Sequence, residues 1–294
     1  MAGITIDLLV LQLFAGLALG TIFVLLAVGL ALIFGLLTVV NFAHGAFFMV
    51  GAYVGVYLFG LTGSFWFGLV GVPLVVGSLG LIVERTLVRP LYGRGVDYPI
   101  LLTFGLGYVL VDMIRIAFGI EGRTFSTPSA LKGSVWIGVG YFPLYRLFVI
   151  AVTALILLGL WWLIEGTRAG LIIRAGARDP EIVRVLGVNV SLVWLLVFGL
   201  GTAIAGLAGV LAAPMRGVYP EMGIPVLIEA FVVTVVGGMG SLRGAVLAGL
   251  LLGVVVSLTS LVAPPMANIS MFIVMALVLL LRPAGLFGRA GLLG

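Results

Sequence analysis

The chain has 294 residues, of which 63% are hydrophobic and 9% charged, with a formal net charge of +5. No soluble domain could hide that much apolar surface, and the runs are continuously apolar rather than alternating, which excludes a β-barrel. The sequence therefore specifies an all-α, polytopic transmembrane helical bundle. The absence of cysteine rules out disulfides and thiolate metal sites, and one histidine with ten acidic residues leaves no material for a metal cage.

The basic residues cluster in short loops beside apolar spans, the positive-inside pattern, and no basic face with interleaved aromatics suggests nucleic acid. No Lys or Arg precedes the first apolar run, and Asp7 sits where a signal peptide would be basic, so the first run is expected to be a retained helix. Residues 8–37 exceed the ~20 needed to span and read as one tilted helix or as a span followed by a half-helix. A small polar break at Asn41–Gly45 follows, then segments at 46–59, 65–83 and 99–118. The charged stretch 84–97 reads as a short cytoplasmic loop, with Glu84 and Arg85 interfacial. Asp112 and Arg115 are spaced for an ion pair on one helix face. The long segment 119–143 reads as an outer loop, with Trp136, Tyr141 and Tyr145 as an interfacial aromatic belt.

Segment 147–164 returns inward to Trp161 and Trp162, and 191–213 goes back out to an outer loop at 216–225. Residues 226–236 make about 16 Å of helix, too short to cross alone, so they read as a half-helix ending at a glycine-rich break. That break, Gly237-Gly238-Met239-Gly240-Ser241-Leu242-Arg243-Gly244, lies between two strongly apolar runs. Irregular backbone at membrane depth is tolerated only where protein or a water-filled cavity satisfies it, and such interruptions point to a translocation path. Thr38-Val39-Val40 before the first break echoes Thr234-Val235-Val236 before the second, a faint internal repeat with one broken helix in each half. Segments 245–262 and 270–281 complete eight or nine spans, with Arg282 and Arg289 placing the C-terminus in the cytoplasm.

Residues 165–189 are too charged to span, yet they carry a helix signature. Asp179 is an N-cap, Pro180 fits the first helical position, Glu181 suits the positive end of the dipole and Gly187 suits a left-handed stop. The result is about two turns with Ile182, Val185 and Leu186 as an apolar patch, among Arg174, Arg178 and Arg184. A compact capped knob suits a groove in a soluble partner better than it suits the surface of membrane lipid.

The expected path residues are Asn41, His44, Gly45, Glu229, Gly237, Gly238, Gly240 and Ser241. Asn41 and His44 have hydrogen-bonding work at the break, and Glu229 is an ionisable group in an apolar half-helix that must face protein or water. Arg243 could cap carbonyls, bind lipid headgroups or touch a partner. No zinc-protease motif, nucleophile–base pair or P-loop is present, so enzyme chemistry is not expected and the chain cannot hydrolyse ATP by itself.

Taken in order, Asn41-Phe42-Ala43-His44-Gly45, the segment Arg168 to Asn189 and Gly237 to Ala245 resemble the LivH-type permeases of branched-chain amino-acid ABC importers, over essentially the whole chain. The resemblance implies a single permease domain over 1–294 in a bacterial or archaeal cytoplasmic membrane, with no cofactor of its own. It implies a second, LivM-like permease, two cytoplasmic ATPase subunits that bind the ATP, and an extracytoplasmic binding protein. Residues 165–189 would be the coupling loop, with Arg174, Arg178, Asp179, Glu181, Val185, Leu186 and Gly187 as its candidate contacts. Two positions depart from the pattern: Ala46 replaces an acid, and Glu229 stands where many members are basic. If they face each other, a charge pairing has been changed. Urea, short amides or sugars remain alternative substrates. An autonomous proton-coupled transporter using Glu229 and His44 is the rival class.

Overall fold

A computed structural model describes residues 5–95 and 97–288, and among them nine helical segments are long and apolar enough to cross a membrane. Helix α1 (Ile6–Leu37) is a single helix rather than a span plus a half-helix. Its 32 residues make about 48 Å, well beyond the ~30 Å hydrocarbon core. From Thr21 to Ile33 every residue is buried, as expected of a helix that is apolar all round. Thr38, in a left-handed conformation (φ 51°), ends it by donating its N–H to the Phe34 carbonyl.

The remaining crossing helices are α2 (His44–Thr62), α3 (Phe65–Val83), α4 (Asp97–Phe118), α5 (Leu144–Gly166), α8 (Val190–Arg216), α9 (Gly223–Gly237), α10 (Leu242–Val262) and α11 (Ala267–Leu281). Two short helices, α6 (Arg168–Gly176) and α7 (Pro180–Val185), lie between α5 and α8. Helix α10 runs antiparallel along α1, with Gly20 against Gly249 and Gly16 against Gly253. Lipid tails are as apolar as leucine, so close van der Waals contact between small residues, not hydrophobic burial, holds such a pair. A polar tie adds to it. Gln12 Nε2 donates to the Ser257 carbonyl (2.7 Å) and to Ser260 Oγ (3.0 Å), and Ser257 Oγ donates to the Gln12 carbonyl (2.8 Å). Helix α8 packs against α1, α2 and α3, whereas α4, α5 and α11 lie outermost.

The arginines fix the orientation. Arg85, Arg89, Arg94, the four arginines of 168–184, Arg243 and Arg282 gather at the end of the bundle where α1 finishes, which is therefore the cytoplasmic end. Arg289 lies outside the described residues.

Three expectations are corrected. Residues 84–91 are not a loop: α3 continues as a π-turn at Glu84–Val88 and a 3-10 turn at Arg89–Leu91. Glu84 is fully buried, not interfacial. It accepts from Arg89 Nη2 at 2.8 Å and from the Tyr92 hydroxyl at 3.0 Å, because a buried carboxylate must be paired. Tyr145 is buried rather than part of an outer belt, donating its hydroxyl to the Leu211 carbonyl (2.8 Å), while Trp136 and Tyr141 stay exposed. The outer segment 119–143 also folds a small hairpin, β1 (Ser134–Trp136) with β2 (Tyr141–Pro143).

Candidate translocation path and coupling segment

After Thr38 the chain folds back along α1, so that His44 begins α2 beside Leu26 with Nε2 3.1 Å from its carbonyl. Leu26 lies eleven residues before the end of α1, which puts the start of α2 about 16 Å into the bundle. The returning backbone finds side-chain partners. Asn41 Oδ1 accepts from the Ala43 N–H (3.1 Å), and the Phe42 N–H donates to Thr103 Oγ1 (3.1 Å). This is the role that sequence assigned to Asn41 and His44, although Asn41 Nδ2 and His44 Nδ1 are buried without a partner among the described residues.

Helix α9 starts at the same level from the outer side, after a 3-10 turn at Pro220–Met222. Only Gly217 to Met222 is connecting chain, since Arg216 ends α8 and Gly223 to Pro225 already belong to α9. The two starts cross at Gly45 and Gly223, where a Cβ on either would run into the backbone of the other. Two broken helices thus begin back to back in the interior and run to opposite ends, each bringing the positive end of its dipole to the crossing. At 15 residues, about 22 Å, α9 by itself falls short of the ~30 Å core, and it counts among the nine crossing segments only together with the turn Pro220–Met222. A niche of about 100 Å³ opens beside the crossing, lined by Phe42, Ala46, Phe104, Tyr108, Ile224 and Leu227.

The repeat expected from Thr38 and Thr234 does not align with this crossing. Thr38 ends α1, whereas Thr234 lies inside α9 and bonds the Ala230 carbonyl. Nor do Ala46 and Glu229 face each other. Ala46 lies against Gly223, on the Gly223–Leu227 side of α9, and Glu229 is two residues on, about 200° around the helix. Glu229 instead pairs with Arg216 (2.8 Å), whose guanidinium sits 5.8 Å from the centre of the Phe23 ring.

The glycine break lies at the cytoplasmic end, away from the crossing. Gly238 (φ 99°) and Gly240 (φ 78°) adopt a turn that L side chains disfavour. The carbonyls of Val236 and Gly237, freed where α9 stops, accept from Leu286 N (2.9 Å) and Phe287 N (3.0 Å). Ser241 Oγ caps α10 through the Gly244 N–H (3.1 Å). Sequence placed Gly237–Ser241 with Asn41–Gly45; the structure places Gly240 and Ser241 instead with Arg174 and Arg178, around a cavity of about 620 Å³ that Gly35 and Thr38 also line.

The candidate coupling segment, 165–189, holds two helices, not one. Thr167 caps α6 by accepting from the Gly170 N–H (3.1 Å), a local Thr-x-x-Gly signal that the sequence reading passed over. Arg174 bonds Glu165 and the Ile164 carbonyl, tying α6 back to α5. Asp179 Oδ1 caps α7 through the N–H groups of Glu181 and Ile182, each at 3.0 Å, and Gly187 (φ 83°) follows in the left-handed region as expected. Helix α7 has six residues, with Val183 turned inward. Ile182, Val185 and Leu186 are 59%, 87% and 76% exposed, an apolar knob at the cytoplasmic surface.

Residues 12–281 match the family described as branched-chain amino acid transport system / permease component. The chain belongs to that family. Its relatives include the high-affinity branched-chain amino acid transport system permease protein BraD of Pseudomonas aeruginosa, 31% identical over 95% of each chain. The corresponding protein LivH of Escherichia coli is 30% identical, again over 95% of each chain. A more distant relative, LivM of Salmonella typhimurium, is 29% identical over 79% of this chain and 60% of its own length. The chain is a multi-pass membrane permease component.

Proposed function

We propose that the chain is one of two permeases in an ABC importer of branched-chain amino acids, paired with a LivM-like permease. A binding protein outside would deliver substrate, and two ATPase subunits inside would drive transport. The names of the relatives support the substrate class. The observation that carries the coupling is the exposed knob of Ile182, Val185 and Leu186 on a doubly capped cytoplasmic helix, an anchor for a groove in a soluble partner. Arg174, Arg178, Asp179, Glu181 and Gly187 hold its shape or border it.

On this reading Asn41, His44, Gly45 and the Glu229–Arg216 pair border the middle and outer parts of the path. Gly237, Gly238, Gly240 and Ser241 form the hinge at its cytoplasmic mouth. ATP binding would pull on α6 and α7, and the cavity of about 620 Å³ shared by Arg174, Gly240 and Ser241 supports passage of that pull to the glycine hinge. Rocking of helices around the crossing then alternates access.

The test is reconstitution of the permease pair with its ATPases and binding protein in liposomes. Leucine uptake that requires ATP and binding protein is the expected result. Uptake confined to urea or short amides would refute the substrate class. Leucine uptake by this chain without ATP would refute the importer.

A further inference from the structure

Helices α5 and α10 both pack against α1 but leave a cleft between them of about 640 Å³ at the cytoplasmic end. Val28 forms the floor. Ala154, Leu158 and Trp161 of α5 form one wall, and Val246 and Leu247 of α10 form the other. From Ala154 to Glu165 at the rim is eleven residues, about 16 Å of helix, half of the ~30 Å hydrocarbon core. The cleft is therefore one leaflet tall. A partner's transmembrane helix would need a groove through both leaflets, whereas acyl chains entering from one leaflet need this height.

The rim has the matching chemistry. Glu165 is engaged by Arg174, so its charge is already paired. Arg243 is exposed at the other side of the rim and has no acidic partner among the described residues. Trp161 and Trp162 are exposed at the same level, where indoles settle in headgroups. A guanidinium holds phosphate oxygens in a fork, and anionic lipids are attracted to cytoplasmic-side arginines.

We infer that this cleft binds an anionic phospholipid of the cytoplasmic leaflet, with its acyl chains over Val28 and its phosphate on Arg243. Because α5 leads directly into α6, such a lipid braces the root of the segment that bears the cytoplasmic knob.

The experiment is native mass spectrometry of the assembled transporter, equilibrated with phosphatidylglycerol or phosphatidylcholine. The unaltered protein should retain phosphatidylglycerol about tenfold better. Arg243→Gln should erase that preference, and Ala154→Trp, which fills the cleft from an exposed wall position, should release both lipids. Leu101→Trp, on the exposed face of α4, should change neither. Arg243→Gln decides the matter should Ala154→Trp lower stability. Retention unchanged in Arg243→Gln would overturn the inference. So would cross-linking of Ala154→Cys to a second permease in the membrane, a test made simple by the cysteine-free chain.

Discussion

The double substitution Val185→Ala with Leu186→Ala separates docking from folding. Both side chains are more than three-quarters exposed, so truncating them removes nothing that holds this chain together. Surface changes of this kind usually alter stability by no more than ~0.5 kcal/mol. In a partner's groove the cost differs. The two changes delete five carbons, four methyls and one methine, and at ~0.8 kcal/mol each their full burial is about 4 kcal/mol, or about 2 kcal/mol if half buried. With tenfold in affinity per ~1.4 kcal/mol, the ATPase pair should bind roughly 30- to 1,000-fold more weakly. Titration of the purified ATPase subunits against the permease pair in nanodiscs, beside a thermal melt of each sample, reads both quantities. An unchanged melt with weakened binding is expected. Unchanged affinity would refute the knob as the anchor, and a lowered melt would show that these residues serve the fold.

Other outcomes follow from the same contacts. Glu84→Ala strands Arg89 and Tyr92; the cost should be about 2–3 kcal/mol, below the ~3–5 of a fully buried pair because Arg89 is a third exposed, and should appear as a lower melting temperature in detergent. Gly45→Val drives a side chain into the Gly223 backbone and should destabilise by about 3 kcal/mol or more with loss of uptake. In the same helix Gly60→Ala, with open space around it, should be neutral or stabilising by up to ~1 kcal/mol. Asp179→Ala removes the cap of α7 at about 1 kcal/mol, which should show as faster proteolysis within 177–187 while the global melt stays put.

Much of this molecule follows from local sequence, because the physics concerned is local. A continuous apolar run has to be a membrane helix, since its backbone groups can be satisfied only within the segment. Asp179, Pro180 and Gly187 delimit α7 through hydrogen bonds and dihedral angles within a few residues. The break before α2 and the stop after α9 are likewise written in Asn41 to Gly45 and in Gly237 to Gly240.

Tertiary structure decided what these breaks meet. That Gly45 abuts Gly223, and that Gly240 joins Gly35, Arg174 and Arg178, depends on elements as much as two hundred residues apart, and no periodicity encodes such a pairing. The same holds for Glu84 and Tyr145. Each has a sequence context suited to an interface, and each is buried because a hydrogen-bond partner is waiting, Arg89 with Tyr92 for one and the Leu211 carbonyl for the other. Composition fixed the solvent, and local chemistry fixed where helices begin and end. Only packing fixed which polar groups are paired out of water, because the free energy of a buried charge depends on neighbours rather than on sequence position.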